Sequence, residues 1–321
     1  MRIRWSGVRS RRSVLPAATV AALAAVIVVL PSTANARPAA AVAPAPAAAP
    51  APAWAPRETA GVHPGVTTVT QGGGSCTSNF VFRGGDGTLF LGQAAHCAGT
   101  GQVTETDGCT SSTMPLGTPV TVRGERGFTT TGRMVYSSWI TMQQRAEADR
   151  VACGYNDFAL VQLPADAAPV TNPTVPFFGG PTGVNTTGLP EGAQTFTYGN
   201  SPTRGGAAAL SPKAGISAGD MASGWSHQVY TVSPGVPGDS GSAFLDASGR
   251  ALGLLSTLNL APLPVSNGVT DLAKALAYAN LHGGLGPIGL VDGTAPFTPT
   301  PPGIPLQDVA PPAGPPVGAG S

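Results

Sequence analysis

The chain has 321 residues, of which 42% are hydrophobic and 10% are charged, and its formal net charge is +1. That hydrophobic fraction is enough to bury a core, so the composition excludes a chain that is disordered throughout. The near-neutral charge supplies no strongly basic surface of the kind that binds nucleic acid, and we expect no nucleic-acid partner.

The first 36 residues have the three parts of an export signal. Five arginines lie within Arg2–Arg12, the run Val14–Leu30 is apolar, and Ala34–Ala36 reads Ala-Asn-Ala, a small-residue cleavage site. A membrane anchor is the alternative, but an apolar run of 17 positions that includes a proline is marginal for spanning a bilayer. We therefore predict a signal peptide at 1–36, membrane contact only transiently through it, and a secreted or extracytoplasmic protein of the cell envelope.

Low-complexity segments flank the central part of the chain. Arg37 to Pro56 is nearly all alanine and proline, and 294–321 is rich in proline with few large apolar residues. Such segments cannot bury a core and favour extended conformations. We predict a spacer or pro-segment at 37–65, one folded domain at 66–293 and a disordered tail at 294–321.

Short β-prone runs separated by Gly, Pro, Asn and Thr fill the central domain, which predicts an all-β protein. The stretch Pro164 to Pro190 is rich in proline and glycine and is expected to be a connection between the β run that ends at Leu163 and the next one. The predicted strands are Phe80–Phe82, Leu89–Leu91, Val120–Val122, Met134–Tyr136, Phe158–Leu163, Thr195–Tyr198, Gln228–Val232, Ala243–Leu245 and Leu252–Leu255.

One helix is predicted near the end of the domain. Asp271 can cap its first turn, and Gly283-Gly284 can end it. Between them, apolar side chains recur at helical spacing on one face: Leu272, Ala275, Leu276 and Ala279.

Three short windows carry the chemistry of nucleophilic catalysis. They are Gly238-Asp239-Ser240-Gly241, Ala94-Ala95-His96-Cys97, and Asp157 followed by Phe-Ala-Leu. Serine is a weak nucleophile until a histidine takes its proton, and a buried carboxylate can fix the imidazole tautomer. Taken singly, each window has a structural alternative: a glycine-rich turn, a core histidine and a strand-start or capping aspartate.

Together, the windows resemble the three signatures of chymotrypsin-like serine proteases, in the chain order His, Asp, Ser. The resemblance spans about Val66 to Asp292. It implies a trypsin-like fold of two packed antiparallel β-barrels with a carboxy-terminal helix. It also implies a catalytic triad of His96, Asp157 and Ser240, and an oxyanion hole formed by the backbone amides of Gly238 and Ser240.

Four cysteines in an exported chain predict two disulfides, and the sequence alone allows three pairings. The resemblance implies that Cys76 pairs with Cys97, which leaves Cys109 for Cys153. No C-x-x-C spacing indicates zinc, and we predict neither a metal nor a cofactor.

The same resemblance implies a pocket for the substrate residue before the scissile bond, the P1 residue. Ser256 should hydrogen-bond the triad carboxylate, Thr257 and Leu258 should line the pocket wall, and Pro234 should lie at its floor. Since proline offers no carboxylate there, we expect small or medium apolar P1 side chains rather than Lys or Arg. His227 is an alternative reader of an acidic P1 side chain, against a purely structural role.

Asp239 needs a positive partner. In animal members of the family a new amino terminus supplies it, but this chain has no Ile-Val-Gly-Gly segment. The resemblance to bacterial members implies an arginine instead, and Arg126 and Arg133 are the candidates.

The sequence thus predicts a secreted serine endopeptidase that is monomeric, acts on protein or peptide substrates and forms an acyl-enzyme intermediate. Two alternatives stay open. One is a catalytically weak binding module of the cell envelope that keeps the fold, and the other is an esterase that uses the same triad.

Overall fold

The computed structural model describes residues 53–102, 105–204, 210–259 and 263–299. The predicted signal peptide at 1–36 and nearly all of the predicted tail lie outside the described residues. None of the described helices is long and apolar enough to cross a membrane.

The first β unit is an open antiparallel sheet of eight strands in the order β14-β3-β4-β7-β6-β5-β1-β2. Its two edge strands, β14 and β2, have three residues each and pair on one side only. The strands are β1 (Thr67–Thr70), β2 (Ser75–Thr77), β3 (Val81–Gly84), β4 (Leu89–Gln93), β5 (Pro119–Arg123), β6 (Thr129–Ser137), β7 (Ala159–Gln162) and β14 (Ile288–Leu290).

The second β unit is a closed antiparallel barrel of six strands in the order β10-β13-β12-β11-β8-β9, with β9 pairing back onto β10. Closure leaves no free sheet edge along most of its length. The strands are β8 (Gln194–Tyr198), β9 (Pro212–Met221), β10 (Ser226–Thr231), β11 (Ala243–Asp246), β12 (Ala251–Leu258) and β13 (Asn267–Asp271).

In the part of the chain that the structure describes, three α-helices accompany these sheets: α1 (Ser138–Gln144), α2 (Arg150–Tyr155) and α3 (Leu272–His282). The predicted carboxy-terminal helix is α3. Its four predicted apolar positions are buried, and the Asp271 side chain accepts a hydrogen bond from the Lys274 amide, as a capping residue does. The short helices α1 and α2 were not predicted, because neither has a long apolar stripe.

The structure confirms the predicted fold class, an all-β chain with two antiparallel units and a carboxy-terminal helix. It corrects one detail, because the first unit is an open sheet rather than a closed barrel. All nine predicted runs overlap strands, and residues 163–193 connect the two units without a strand. The largest missed strand, β9, contains small and polar residues in place of an apolar alternation.

The two units share one hydrophobic cluster. Phe80 and Phe158 from the first unit lie in the same buried cluster as Phe196 and Leu254 from the second, and α3 adds Leu272. Phe178 and Phe196 pack with ring centroids 5.3 Å apart. This shared core holds the facing edges of the units together, and the predicted catalytic residues come from both.

Segments beyond the predicted domain limits also contact the sheets. Val62 is fully buried and forms a parallel bridge with Thr171, and Arg83 lies over the ring of Trp54. At the other end, the ring of Phe297 lies 5.4 Å from that of Phe196. The folded part described here therefore includes 54–65 and 294–299.

Candidate active site

His96, Asp157 and Ser256 form one hydrogen-bonded group where the two β units meet. His96 Nδ1 lies 2.7 Å from Asp157 Oδ2, and the His96 backbone amide donates to Asp157 Oδ1 at 2.9 Å. Ser256 Oγ donates to Asp157 Oδ2 at 2.6 Å. The carboxylate thereby fixes both the position and the tautomer of the imidazole, because Nδ1 must carry a proton to donate.

The local chain explains why these groups meet. His96 lies in a tight helical turn, Ala95–Ala98, directly after β4, and its flanking residues Ala95 and Cys97 are buried. Asp157 sits between the end of α2 and the start of β7. Its neighbours on both sides are held by Ser138 of α1, whose Oγ donates to the Asn156 carbonyl at 2.7 Å and accepts from the Phe158 amide at 3.0 Å.

The electrostatics of the pair suit a general base with a charged partner. Burial by itself would lower the pKa of His96, but the charge of Asp157 and its hydrogen bond raise that pKa above 6.5. Burial would raise the pKa of Asp157, but the charge of His96 and the donors His96 and Ser256 lower it. The carboxylate therefore stays ionised although its side chain is only 6% exposed.

A β-bulge places Ser256. The register between β12 and β13 shifts between Leu255 and Thr257, so that Ser256 is the extra residue on its strand. Bulges re-aim side chains, and here the bulged side chain reaches Asp157.

The segment around Ser240 is a tight turn that only glycine permits at two positions. Gly238 has φ +97° and Gly241 has φ +84°, both in the left-handed region. A Cβ on Gly241 would lie 2.6 Å from the Thr77 carbonyl oxygen. The turn closes with hydrogen bonds from the Asp239 amide to the Val236 carbonyl and from the Ser242 amide to the Asp239 carbonyl.

Hydrogen bonds from Thr77 hold the carbonyl groups of Gly238 and Ser240. Thr77 of β2 donates from its Oγ1 to the Gly238 carbonyl at 2.7 Å and from its amide to the Ser240 carbonyl at 2.9 Å. The amides of Gly238 and Ser240 donate to no other residue in the described part of the chain. An oxyanion hole needs unused amide donors of this kind, both directed at one point beside the nucleophile. Thr77 was not predicted, because nothing local to its sequence links it to a serine 163 positions away.

Asp239 is fully buried, and its carboxylate binds two positively charged side chains. Arg204 contacts both carboxylate oxygens, and Lys213 Nζ lies 2.9 Å from Oδ2. The expectation of Arg126 or Arg133 is wrong: Arg126 is exposed beside Glu125, and Arg133 donates to the Gly117 carbonyl. Burial would raise the pKa of Asp239, but its hydrogen bonds and charge interactions with Arg204 and Lys213 lower it.

Most of the predicted site residues line one cavity of about 740 Å³. His96, Asp157 and Ser240 line it, as do Gly238, Ser256, Thr257 and Leu258. The Ser240 hydroxyl and the His96 ring are not hydrogen-bonded to each other in the described structure. Such contacts are often long in free enzymes and tighten when substrate binds.

Two other residues of the specificity hypothesis lie elsewhere. Pro234 does not line this cavity; its carbonyl accepts a hydrogen bond from Lys213, and Val236 and Leu255 line the wall instead. His227 is fully buried with both ring nitrogens bonded to carboxylates, so it is not free to read a substrate side chain.

The structure joins Cys76 to Cys97 and Cys109 to Cys153, the pairs expected from the resemblance. The first disulfide ties β2 to the turn that carries His96. The second joins the loop around Cys109 to α2, which leads into Asp157. In the described structure, the clusters that could hold a metal each include cysteines of these disulfides, whose sulfurs cannot act as thiolate ligands.

No family model matches the chain, and no curated protein matches it. Among solved structures it is similar to Thermobifida fusca Protease A, at 16% identity and a TM-score of 0.44 over 72% of this chain and 99% of that chain. A Nocardiopsis protease, NAPase, has 16% identity and a TM-score of 0.41 over 71% and 98%. A third, described as a glutamic acid specific serine protease that utilizes a novel histidine triad in substrate binding, has 16% identity and a TM-score of 0.42 over 72% and 100%. At identities and TM-scores this low, the function has to be inferred from the residues of this chain.

Proposed function

We propose that this protein is a serine endopeptidase that cleaves peptide bonds through His96, Asp157 and Ser240. The observation that carries the proposal is the pairing of His96 Nδ1 with the buried Asp157 carboxylate at 2.7 Å, in the same cavity as Ser240. This pairing leaves Nε2 of His96 as the nitrogen that can accept a proton.

In the proposed mechanism, Ser240 Oγ attacks the substrate carbonyl carbon while His96 takes the hydroxyl proton. The amides of Gly238 and Ser240 donate to the oxygen that becomes negative in the tetrahedral intermediate. His96 then gives its proton to the leaving amine, which leaves an acyl group on Ser240. Water, activated by the same histidine, hydrolyses that ester and frees the enzyme.

The free edge of β12 supports a role in binding an extended peptide. Thr257 and Leu258 pair with β13 on one side, whereas β11 pairs with β12 only as far as Leu254. The other side of Ser256–Leu258 lines the cavity. A substrate strand can add there through backbone hydrogen bonds and place its scissile bond beside Ser240.

The preference for small or medium apolar P1 residues stays a prediction, with a changed basis. Val236, Leu255 and Leu258 supply apolar surface in the cavity. Apolar surface favours an apolar side chain and disfavours a buried, unpaired cation. The two disulfides favour a protein that works outside the cytoplasm, and we propose a secreted or cell-envelope monomer.

The test is labelling with a fluorophosphonate, followed by turnover of a casein-derived peptide and of a matched ester. The mature wild-type protein should be labelled on Ser240 and should cleave both substrates. Ser240→Ala should abolish labelling and lower turnover by at least about a thousandfold, because it removes the nucleophile with little change in volume. Ser248→Ala, in an exposed turn between β11 and β12, is the matched control and should behave as wild type.

The alternatives give different results. A binding module that only keeps the fold would show no labelling of the wild-type protein. An esterase would be labelled and would cleave the ester but not the peptide. Labelling of Ser240→Ala at the wild-type rate would contradict the assignment of the nucleophile.

A further inference from the structure

Lys213 is a buried lysine whose role lies outside the triad. It is in β9, where it pairs with Thr197 of β8, and its side chain is 5% exposed. An ammonium group at such depth is stable only when it is paired and hydrogen-bonded. The hydrogen-bond partners of its Nζ therefore show which groups Lys213 connects to β9.

Those contacts reach both ends of the segment Pro234–Asp239, which we call the serine loop. Lys213 Nζ donates to the Pro234 carbonyl at 3.3 Å and to Asp239 Oδ2 at 2.9 Å. One ammonium group thus spans the loop that begins at Pro234 and leads into Ser240. Between these two contacts lies Gly238, whose amide is one of the two unused donors.

Arg204 makes a different connection. It binds both oxygens of Asp239 and also the Gly199 carbonyl at 3.4 Å, but not the start of the serine loop. It lies in the short turn Pro202–Arg204, outside the barrel strands, whereas Lys213 is in a strand of the closed barrel. Arg204 by itself supplies one positive charge for Asp239, so neutralisation alone does not account for Lys213.

We propose that Lys213 is a positioning residue that fixes the spacing between the two ends of the serine loop and thereby aims the amides of Gly238 and Ser240 at the substrate oxygen. This role rests on the proposed function. Thr77 and Asn267 each hold one peptide group of the serine loop. Lys213 differs from them, because its one ammonium group joins the start of the loop to the carboxylate at its end.

The test compares Lys213→Met with the wild-type protein. Methionine keeps an unbranched chain of similar length and removes the ammonium group. Lys274→Met is the matched control, because Lys274 is an exposed lysine of α3 over the Trp225 ring, away from the serine loop. Three quantities are measured: the rate of fluorophosphonate labelling, kcat and KM for one peptide substrate, and amide hydrogen exchange by mass spectrometry.

If the proposal holds, Lys213→Met slows labelling and lowers kcat by about tenfold or more, with KM changed less than about twofold, because only the transition state uses the aimed amides. Exchange should increase in the serine-loop peptide, which includes the Asp239 amide, and stay unchanged in β8 and β10. Lys274→Met should match the wild-type protein in all three measurements.

Two results would overturn the proposal. One is wild-type labelling and wild-type exchange of the serine loop in Lys213→Met. The other is faster exchange throughout the barrel strands, which would make Lys213 a general stabiliser of the fold. A wild-type protein that is not labelled at all would refute the proposed function instead, and the comparison of loop exchange would still decide whether Lys213 positions the loop.

Discussion

Asp157 is a buried carboxylate that satisfies three donors. The backbone amide and ring of His96 and the hydroxyl of Ser256 all bind it. Three donors offset the desolvation of its charge, which is why it remains ionised beside the imidazole. The same arrangement leaves the far side of the His96 ring, 27% of whose side chain is exposed, facing the cavity.

The pKa of His96 sets a testable pH dependence. Only the neutral imidazole can accept the Ser240 proton, and Asp157 raises the pKa of His96 above 6.5. We therefore expect kcat/KM to fall as the pH is lowered, with the midpoint of this acidic limb above 6.5. The measurement is kcat/KM for a peptide without titrating groups between pH 5 and 9. An acidic limb with its midpoint well below 6.5, or none at all, would contradict the assignment of His96 as the base.

At the scale of elements, His227 links three of them. It lies in β10, and its Nδ1 is 2.6 Å from Asp220 Oδ1 of β9 while its Nε2 is 3.0 Å from Asp271 Oδ2, at the end of β13 and the start of α3. Both nitrogens can donate only in the imidazolium form. Burial would lower the pKa of His227, but the hydrogen bonds and charges of Asp271 and Asp220 raise it.

This raised pKa gives a second prediction, on stability. When the pKa of a group is higher in the folded state than in the unfolded state, its protonation stabilises the folded state. This contribution is fully present below the pKa of the unfolded state, and it disappears as the pH rises through the pKa of the folded state. His227→Gln should therefore lower the free energy of unfolding by about 3 kcal/mol at pH 6, and the difference from wild type should shrink at alkaline pH.

Urea unfolding at a series of pH values measures this effect. His282→Gln, in the last turn of α3, is the matched control and should change the free energy of unfolding by less than about 0.5 kcal/mol. A His227→Gln deficit that is constant from pH 6 to pH 9 would show that packing, rather than the charge of the imidazolium, accounts for the loss.

At the scale of the whole molecule, residues on both sides of the predicted domain 66–293 pack against it. In the segment 54–65, Val62 is fully buried in one cluster with Val81 of the first sheet. At the other end, Thr294 hydrogen-bonds Thr174, and Phe297 packs against Phe196. Both segments border on the alanine- and proline-rich flanks, so average composition hides the few residues that are buried.

Val62→Ala tests whether the segment 54–65 is part of the cooperative fold. Loss of two buried methyl groups should lower the free energy of unfolding by about 2 kcal/mol. Val232→Ala, at a valine that is 80% exposed, should change it by less than about 0.5 kcal/mol. Denaturant unfolding monitored by tryptophan fluorescence gives both values. An equally small effect of the two substitutions would mean that the segment detaches before the domain unfolds.

The sequence predicts the features that depend on residues close to each other along the chain. The nine apolar runs, the capped helix α3 and the turn around Gly238 and Gly241 all follow from local spacing and backbone preference. The three candidate catalytic windows were visible for the same reason, since each is a short and distinctive run of residues around His96, Asp157 or Ser240. Their meeting in one cavity was inferred through the resemblance, not from spacing.

Only the tertiary structure decided which distant groups bind Asp239 and the Gly238 carbonyl. Asp239 binds Arg204 and Lys213, which lie 35 and 26 positions away, and Thr77 binds the Gly238 carbonyl across 161 positions. No local sequence pattern encodes such partners. The packing of the strands, and not the residues next to it in sequence, determines which distant group a charged or donor side chain contacts. The strand β9, which carries Lys213, is built of small and polar residues and forms because β8 and β10 supply its hydrogen bonds on either side.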